Sequence, residues 1–198
     1  MPVPRAQLSG KPLPIRGESR TIIEGMSMQC EECTVIQFRT EVSDPEEFLR
    51  NVREIASRYG VSVILFDASM MAGIAHVRSS LFHALRAFRE DKSISNSLEM
   101  EALLYASGSR QCQHAVRFGV HTGRNDTYLC ICPGRNAVVE EMLKLGEICD
   151  EDWEVLSPEK IGRLMNIFGI TREEVEVVGA TRIPELVLER VALLEVYR

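Results

Sequence analysis

The feature that most constrains the fold is a strand, a capped amphipathic helix and a second strand in direct succession. Residues 34–40 alternate apolar and polar side chains and are rich in β-branched types, which is typical of a strand. Asp44 and Pro45 then provide a helix start, and Gly60 provides a helix end. The apolar run 61–66 reads as a buried strand. This β-α-β unit predicts a sheet covered by helices.

Further elements follow from the spacing of apolar residues and from capping signals. We expect a third strand at 127–132, a candidate fourth at Thr21 to Glu24, and helices over 74–91, 98–105, 110–118, 136–145, 158–168, a short segment after Thr171, and 184–196. The prediction is an α+β (mixed α/β) fold, with a small, mainly antiparallel sheet of three or four strands flanked by six or more helices. It forms a single domain over 21–198, preceded by an extended or flexible tail over 1–20 with four prolines.

Length and composition exclude several classes of protein. The 198 residues are 45% apolar and 26% charged, which is ordinary for a folded domain and unlike collagen or a disordered chain. The longest strongly apolar stretch, 61–66, is far shorter than the roughly 20 residues that cross a bilayer. The first residues lack the apolar core of a secretory signal. We therefore expect a cytoplasmic protein without a membrane partner.

Six cysteines raise the question of disulfides and metals. In a chain of this length without an export signal, we expect reduced thiols. An alternative is a zinc site made by Cys30, Cys33, Cys130 and Cys132, although the C-x-C half breaks the usual spacing of structural zinc ligands. We favour the first interpretation and predict neither metal nor cofactor.

Charge is distributed unevenly along the chain. The formal net charge is −6, which argues against nucleic-acid binding through bulk electrostatics. Residues 74–133 nevertheless hold 7 Lys/Arg against 5 Asp/Glu, whereas residues 134–198 hold 8 against 14. This asymmetry permits a local basic face and a separate acidic surface, a geometry suited to an adaptor, or it reflects solvated faces alone.

The common catalytic signatures are absent from the sequence, including G-x-G-x-x-G, the P-loop, H-E-x-x-H and G-x-S-x-G. The richest local pattern is instead a set of cations near small polar residues. Arg110, His114 and Arg117 recur along one face of the predicted helix 110–118, after a Ser-Gly-Ser break that can offer backbone amides. Arg86, Arg89 and Lys92 could join them. Such a cluster predicts a phosphate-binding surface, with a solvated arginine face as the alternative.

One stretch also resembles a known family. Residues 94–111 (ISNSLEMEALLYASGSRQ), with HALRAF at 83–88 and FGV at 118–120, resemble the PRPK-binding-protein family. In that family an Asn, an acidic residue and an LxYLSGSRQI-like run occupy comparable places. Here Asn96, Glu99 or Glu101, and 104–111 match. The family contains the small kinase-associated subunit of the KEOPS (EKC) complex.

The resemblance implies a non-catalytic subunit of the machine that forms threonylcarbamoyl-adenosine at position 37 of tRNA. Its partners would be the kinase-like ATPase, the 3′ CCA end of tRNA and, indirectly, the catalytic threonylcarbamoyl transferase. We expect phosphate contacts from five cations and hydrogen bonds from three polar residues: Arg86, Arg89, Lys92, Arg110 and Arg117, and Asn96, Ser109 and Gln111.

The last predicted helix carries apolar residues on more than one stripe. One face would fill the domain core and another would meet the kinase, unless the helix lies wholly inside the domain. The expected partner-binding residues are Val120, Leu186, Val187, Val191 and Leu194. Two other functions stay open: a structural adaptor or dimerisation module without RNA binding, and a metal-dependent or thiol enzyme using Cys130, Cys132 and His121.

Overall fold

The computed structural model describes residues 33–196, which form one four-stranded antiparallel sheet covered by helices. Its strands are β1 (Thr34–Val42), β2 (Ser62–Asp67), β3 (Gly123–Cys132) and β4 (Glu147–Ile148), in the order β2-β3-β1-β4. Every pairing is antiparallel. The predicted tail at 1–20 and the candidate strand Thr21 to Glu24 lie outside the described residues. The predicted α+β fold with a small antiparallel sheet is confirmed.

Eight α-helices and two 3-10 helices complete the described part of the chain. They are α1 (Pro45–Tyr59), α2 (Ile74–Arg89), α3 (Leu98–Ser107), α4 (Cys112–Ala115), the 3-10 helix Val116–Phe118, α5 (Asn136–Met142), α6 (Pro158–Phe168), α7 (Arg172–Val178), the 3-10 helix Ala180–Arg182 and α8 (Ile183–Val196). Asp44 caps α1 as predicted, because its carboxylate accepts from the amides of Glu46 and Glu47. Within residues 33–196, no helix combines the length and apolarity that crossing a bilayer requires.

Both faces of the sheet are buried, and β3 shows how. Its side chains alternate between two apolar cores: Tyr128 and Cys130 face one, and Leu129 and Ile131 face the other. The first core is completed mainly by α2, α3, α6 and α8, and the second by α1 and α5. A strand covered on both sides reads as a continuous apolar run, which explains the TYLCIC pattern.

The chain after α3 differs from the single helix expected at 110–118. Gly108 ends α3 in the left-handed conformation, with φ of 59°, and the Ser109 hydroxyl then accepts from the amide of Gln111. These bonds satisfy the backbone in a turn, so α4 begins only at Cys112. Arg110 lies outside the helix, and the prediction that it shares a helical face with His114 and Arg117 is wrong.

The prediction of reduced thiols is wrong for two of the six cysteines. Cys33 and Cys132 form a disulfide across 99 residues of sequence. The register explains it, since Thr34 opposes Ile131 and the next pair outward is Cys33 and Cys132, with Cα atoms 4.5 Å apart. The disulfide also removes two thiolates from the four-cysteine zinc alternative, whose Cys30 lies outside the described residues.

Candidate nucleic-acid interface

The eight predicted RNA-binding residues fall into two groups at opposite ends of α3. The amino-end group precedes the helix and contains Arg86, Arg89, Lys92 and Asn96; the carboxyl-end group follows it and contains Ser109, Arg110, Gln111 and Arg117. Ten helical residues span about 15 Å. The structure therefore does not bring all eight residues into one site.

In the amino-end group, carboxylates compensate much of the positive charge. Arg86 Nε lies 3.0 Å from Glu90 and its Nη2 lies 3.4 Å from Glu195, while Lys92 Nζ lies 2.8 Å from Glu90. The hydrogen bonds from Lys92 and Arg86 lower the pKa of Glu90, and the bond to Glu90 raises the pKa of Arg86. Arg89 is exposed, and no carboxylate within residues 33–196 lies within 4 Å of its guanidinium.

A buried carboxylate organises the loop that presents Asn96. Glu101 is fully buried in α3 and accepts the backbone amides of Ile94 and Ser95, at 2.9 and 2.8 Å. The loop curls around this acceptor and leaves Asn96 exposed. The sequence left Glu99 and Glu101 as equal candidates for the acidic position of the motif. Because Glu101 accepts both loop amides, it is the acidic residue of the motif that holds this loop.

In the carboxyl-end group, the cations are exposed and uncompensated. Arg110 and Arg117 are both exposed, and neither has a carboxylate within 4 Å in the described part of the chain. Ser109 Oγ lies 3.3 Å from His114 Nδ1 and accepts the amide of Gln111 at 3.2 Å. The turn is thus held by its own side chains, while both guanidinium groups face solvent.

An open cleft of about 410 Å³ adjoins this group. Its walls come from the end of α3, the end of α6 and the last turns of α8: Ser107, Gly108, Arg110, Ile167, Phe168, Arg190, Leu193 and Leu194. A Cβ on Gly108 would meet the Phe168 ring at 3.3 Å, so glycine provides both the left-handed turn and the space. Arg190 is already paired, with Glu174 at 2.6 Å, which leaves Arg110 as the unpaired cation of the cleft.

His76 is hydrogen-bonded to the carboxyl end of α3, and the sequence alone did not single it out. Its ring is fully buried, with Nε2 donating to the Ala106 carbonyl at 3.0 Å and Nδ1 accepting the Ala72 amide at 3.1 Å. Burial lowers its pKa to about 3, so the ring is neutral at pH 7. Nothing in the sequence distinguishes this buried histidine from one on a surface.

The five predicted partner-binding residues do not form one exposed surface. Val187 and Val191 are fully buried, Leu194 is nearly so, and Leu186 packs against the same core. Val120 packs against the core on the opposite face of the sheet. The exposed apolar side chains at this side of the fold are others, notably Phe88 at the end of α2 and Val196 at the end of α8.

The residues of the enzyme alternative do not form a thiol site. The sulfur of Cys132 is bonded to Cys33, and Cys130 is fully buried in the core. His121 is exposed, and its Nδ1 lies 2.9 Å from the carbonyl of Thr122. A nucleophilic cysteine requires an accessible thiolate, which neither of these two cysteines provides.

The sheet, its two helical layers and the cleft lined by Arg110 define an α+β domain with a candidate binding site. The sequence matches the family described as kinase binding protein CGI-121 over residues 38–195. It is also similar to the regulatory protein Cgi121 of Methanocaldococcus jannaschii, with 29% identity over 138 residues, 69% of this chain and 85% of that protein. The chain belongs to the kinase binding protein CGI-121 family. The family resemblance noted in the sequence is therefore confirmed.

Proposed function

We propose that this protein is a non-catalytic subunit of the KEOPS complex that binds the kinase-like ATPase and recruits tRNA by its 3′ CCA end. Family membership supports the kinase partner, and the relative's name describes a regulatory protein. The observation that carries the RNA-binding part is the carboxyl-end group: Arg110, which has no carboxylate partner within residues 33–196, lines a cleft with an apolar wall, and the exposed Arg117 follows it closely in the chain.

This arrangement suits a single-stranded RNA end. Arg110 and Arg117 bind backbone phosphates, and the polar groups of Ser109 and Gln111 are placed for hydrogen bonds to sugars or bases. An unpaired base at the end of the strand can enter the cleft beside Ile167 and leave its polar edge at the rim. A duplex has no free base to insert, so the cleft favours the CCA tail over the acceptor stem.

The mechanism is tethering, and this subunit makes no chemical bond. Holding the tail of tRNA turns its later encounter with the threonylcarbamoyl transferase into an intramolecular event, so a weak contact raises the rate through effective concentration. The threonylcarbamoyl transferase is reached indirectly, through the ATPase. A protein of net charge −6 with one local cation group binds such an end without retaining every polyanion.

For the kinase contact, the structure favours the end of α8 and the adjoining end of α2. Arg86 of α2 pairs with Glu195 of α8, which holds the two helix ends together. Phe88 and Val196 follow these residues closely in sequence and are 37% and 73% exposed. Exposed apolar side chains beside a fixed ion pair provide an anchor for a partner.

Titration of the full chain with a tRNA transcript and with the same transcript lacking CCA, at two salt concentrations, tests the RNA-binding role. We expect binding that is lost with the tail and weakens as salt rises. Equal binding of both transcripts would contradict recognition of the 3′ end. Failure of both to bind would leave the kinase-partner role or a structural adaptor, and self-association at micromolar concentration would favour a dimerisation module.

The kinase surface has a matched pair of variants. Val196→Asp lies in the proposed contact, and Val177→Asp lies on α7, where the side chain is 85% exposed. We expect Val196→Asp to weaken binding to the purified ATPase subunit by roughly tenfold or more, and Val177→Asp to leave it unchanged. We expect neither variant to change tRNA affinity. Equal effects of the two on ATPase binding would move the contact away from α8.

A further inference from the structure

The HALRAF segment of the sequence places two of its side chains on one carboxylate. His83 and Arg86 lie one turn apart on α2, and both reach Glu195 in the last turn of α8. His83 Nδ1 lies 2.9 Å from one carboxylate oxygen of Glu195, and Arg86 Nη2 lies 3.4 Å from the other. The end of α8 is therefore attached to α2 through both oxygens of a single side chain. We call these three residues the α8 clamp.

The contact between His83 and Glu195 is largely shielded from water. The two side chains are 12% and 20% exposed. The His83 ring stacks on the buried ring of Tyr105 in α3, with centroids 5.3 Å apart and planes 20° from parallel, which favours one orientation of the imidazole. Charges that are partly removed from water attract each other more strongly than charges on an open surface. A proton on His83 therefore has a larger effect here than on an exposed histidine.

The charged and titratable groups around His83 come from the three helices that meet there. They are Arg86 on α2, Glu195 on α8, and Tyr105 and Glu101 on α3. Arg86 lies closer to Glu90, at 3.0 Å, than to Glu195. The Glu101 carboxylate accepts two amides of the loop before α3. Glu195 is thus the carboxylate with which a protonated His83 pairs.

We propose that His83 is a positioning residue for the kinase contact and makes binding of the ATPase subunit tighter at low pH. Val196, the exposed apolar residue of that contact, directly follows Glu195, and the last turn of a helix tends to fray. Protonated His83 forms an ion pair with Glu195 and keeps this turn beside α2. Neutral His83 leaves Glu195 to Arg86 alone, so the turn opens more often.

Linkage gives the direction of the pH effect. The ATPase subunit binds the closed clamp, and the closed clamp binds a proton more tightly than the open one because Glu195 then faces His83. Binding of the ATPase subunit therefore takes up a proton, and its affinity rises as pH falls.

Titration of the purified ATPase subunit with the full chain at pH 6 and pH 8 measures this effect. We expect the wild-type chain to bind about three- to fivefold more tightly at pH 6, the size of a partly exposed ion pair. His83→Asn and Glu195→Gln should each remove this difference, and the double variant should remove no more, since both changes break one interaction. His114→Asn, at an exposed position on α4, is the control and should keep the wild-type profile.

Hydrogen exchange of the free full-length chain tests the clamp without the ATPase subunit. Protection of the amides in the last turn of α8, corrected for the intrinsic rate at each pH, should be about three- to fivefold greater at pH 6 than at pH 8. In His83→Asn the protection should be equal at the two pH values. A wild-type chain whose protection is also independent of pH would overturn the clamp.

The role of His83 rests on the proposed kinase contact, and the two measurements separate their failures. Parallel binding profiles of wild type and His83→Asn, with the ATPase subunit bound in both, would overturn the positioning role and leave the kinase partner standing. Absence of ATPase binding at both pH values, with the expected exchange result, would refute the kinase contact itself.

Discussion

The two ends of α3 carry similar numbers of cations, but they present different electrostatic fields to a ligand. At the amino end, Glu90 and Glu195 neutralise Arg86 and Lys92. At the carboxyl end, Arg110 and Arg117 have no such partner within residues 33–196. A count of cations along the sequence treats both ends as equal. The ion pairs separate them: within residues 33–196, two of the three cations at the amino end are paired and Arg89 is not, whereas neither arginine at the carboxyl end has a carboxylate partner. We propose that a polyanion is drawn to the carboxyl end.

The two ends are alike in being fixed by one buried polar side chain each. The Glu101 carboxylate accepts hydrogen bonds from two amides of the loop before the helix. The His76 ring hydrogen-bonds both the last turn of α3 and the loop before α2. Buried polar groups with satisfied hydrogen bonds specify one arrangement of the backbone. The backbone is therefore fixed at both ends of α3, and the two ends differ in charge.

The largest effect should come from removing the two unpaired arginines of the carboxyl end. We expect Arg110→Gln with Arg117→Gln to weaken binding of a CCA-ended transcript about a hundredfold and to lower the salt dependence by roughly one phosphate contact per arginine. The measurement is a fluorescence titration at several salt concentrations.

The matched control is the double variant Arg86→Gln with Lys92→Gln. It removes the same formal charge from the amino end, where carboxylates already compensate it. We expect a change of only a few-fold, since compensated cations release few counterions on binding. A larger loss in this control than in the carboxyl-end variant would reverse the comparison.

Glu101→Ala tests the anchor of the amino end. The change leaves the amides of Ile94 and Ser95 without their acceptor beneath the loop, and we expect a loss of about 2 kcal/mol in the free energy of unfolding. Urea denaturation measures it. Glu99→Ala, in the same turn of α3, is the control and should cost well under 1 kcal/mol. Equal losses would assign the acidic position of the motif to neither residue.

His76 makes the carboxyl-end anchor sensitive to pH. Its pKa is about 3 in the folded chain because the ring is buried, against about 6.5 when unfolded. As pH falls below 6.5, the unfolded chain gains the proton first. Stability is therefore complete above pH 6.5 and is lost towards pH 3, by about 1.4 kcal/mol per pH unit.

Urea denaturation at pH 7, 6 and 5 measures this slope before most carboxylates titrate. His76→Gln keeps a donor for the Ala106 carbonyl and has no imidazole, so the slope of the variant should be smaller by up to one proton. Parallel curves for wild type and variant would show that another group controls the pH dependence.

Much of the fold could be predicted because its signals are local. The caps at Asp44 and Gly60 and the apolar run of β3 each act within a few residues, and the structure confirms them. β4 could not be predicted, since its two residues carry no periodicity. Just after β4, the amide of Cys149 donates to the carbonyl of Gln37 and the amide of Glu151 donates to the Gln37 side chain, more than a hundred residues earlier in the sequence.

The candidate site was predictable only in part, for the same reason. Arg110 and Arg117 could be identified as cations near a helix end, but their lack of carboxylate partners depends on where distant chain segments lie. Glu195 reaches Arg86 across more than a hundred residues, and Cys33 reaches Cys132 across 99. The burial of Val187 and Val191 likewise follows from the packing of α8 and not from its pattern.

The smallest effect should come from releasing the compensated cations. Glu90 pairs with both Arg86 and Lys92, so Glu90→Gln frees Lys92 and leaves Arg86 with Glu195 alone, without adding a cation at the amino end. We expect about threefold tighter binding of a CCA-ended transcript at low salt, an advantage that disappears as salt rises. Glu159→Gln, an exposed change of equal charge in the first turn of α6, is the control. An equal gain in both variants would mean that net charge alone, and not ion pairing at the amino end, sets the difference between the two ends of α3.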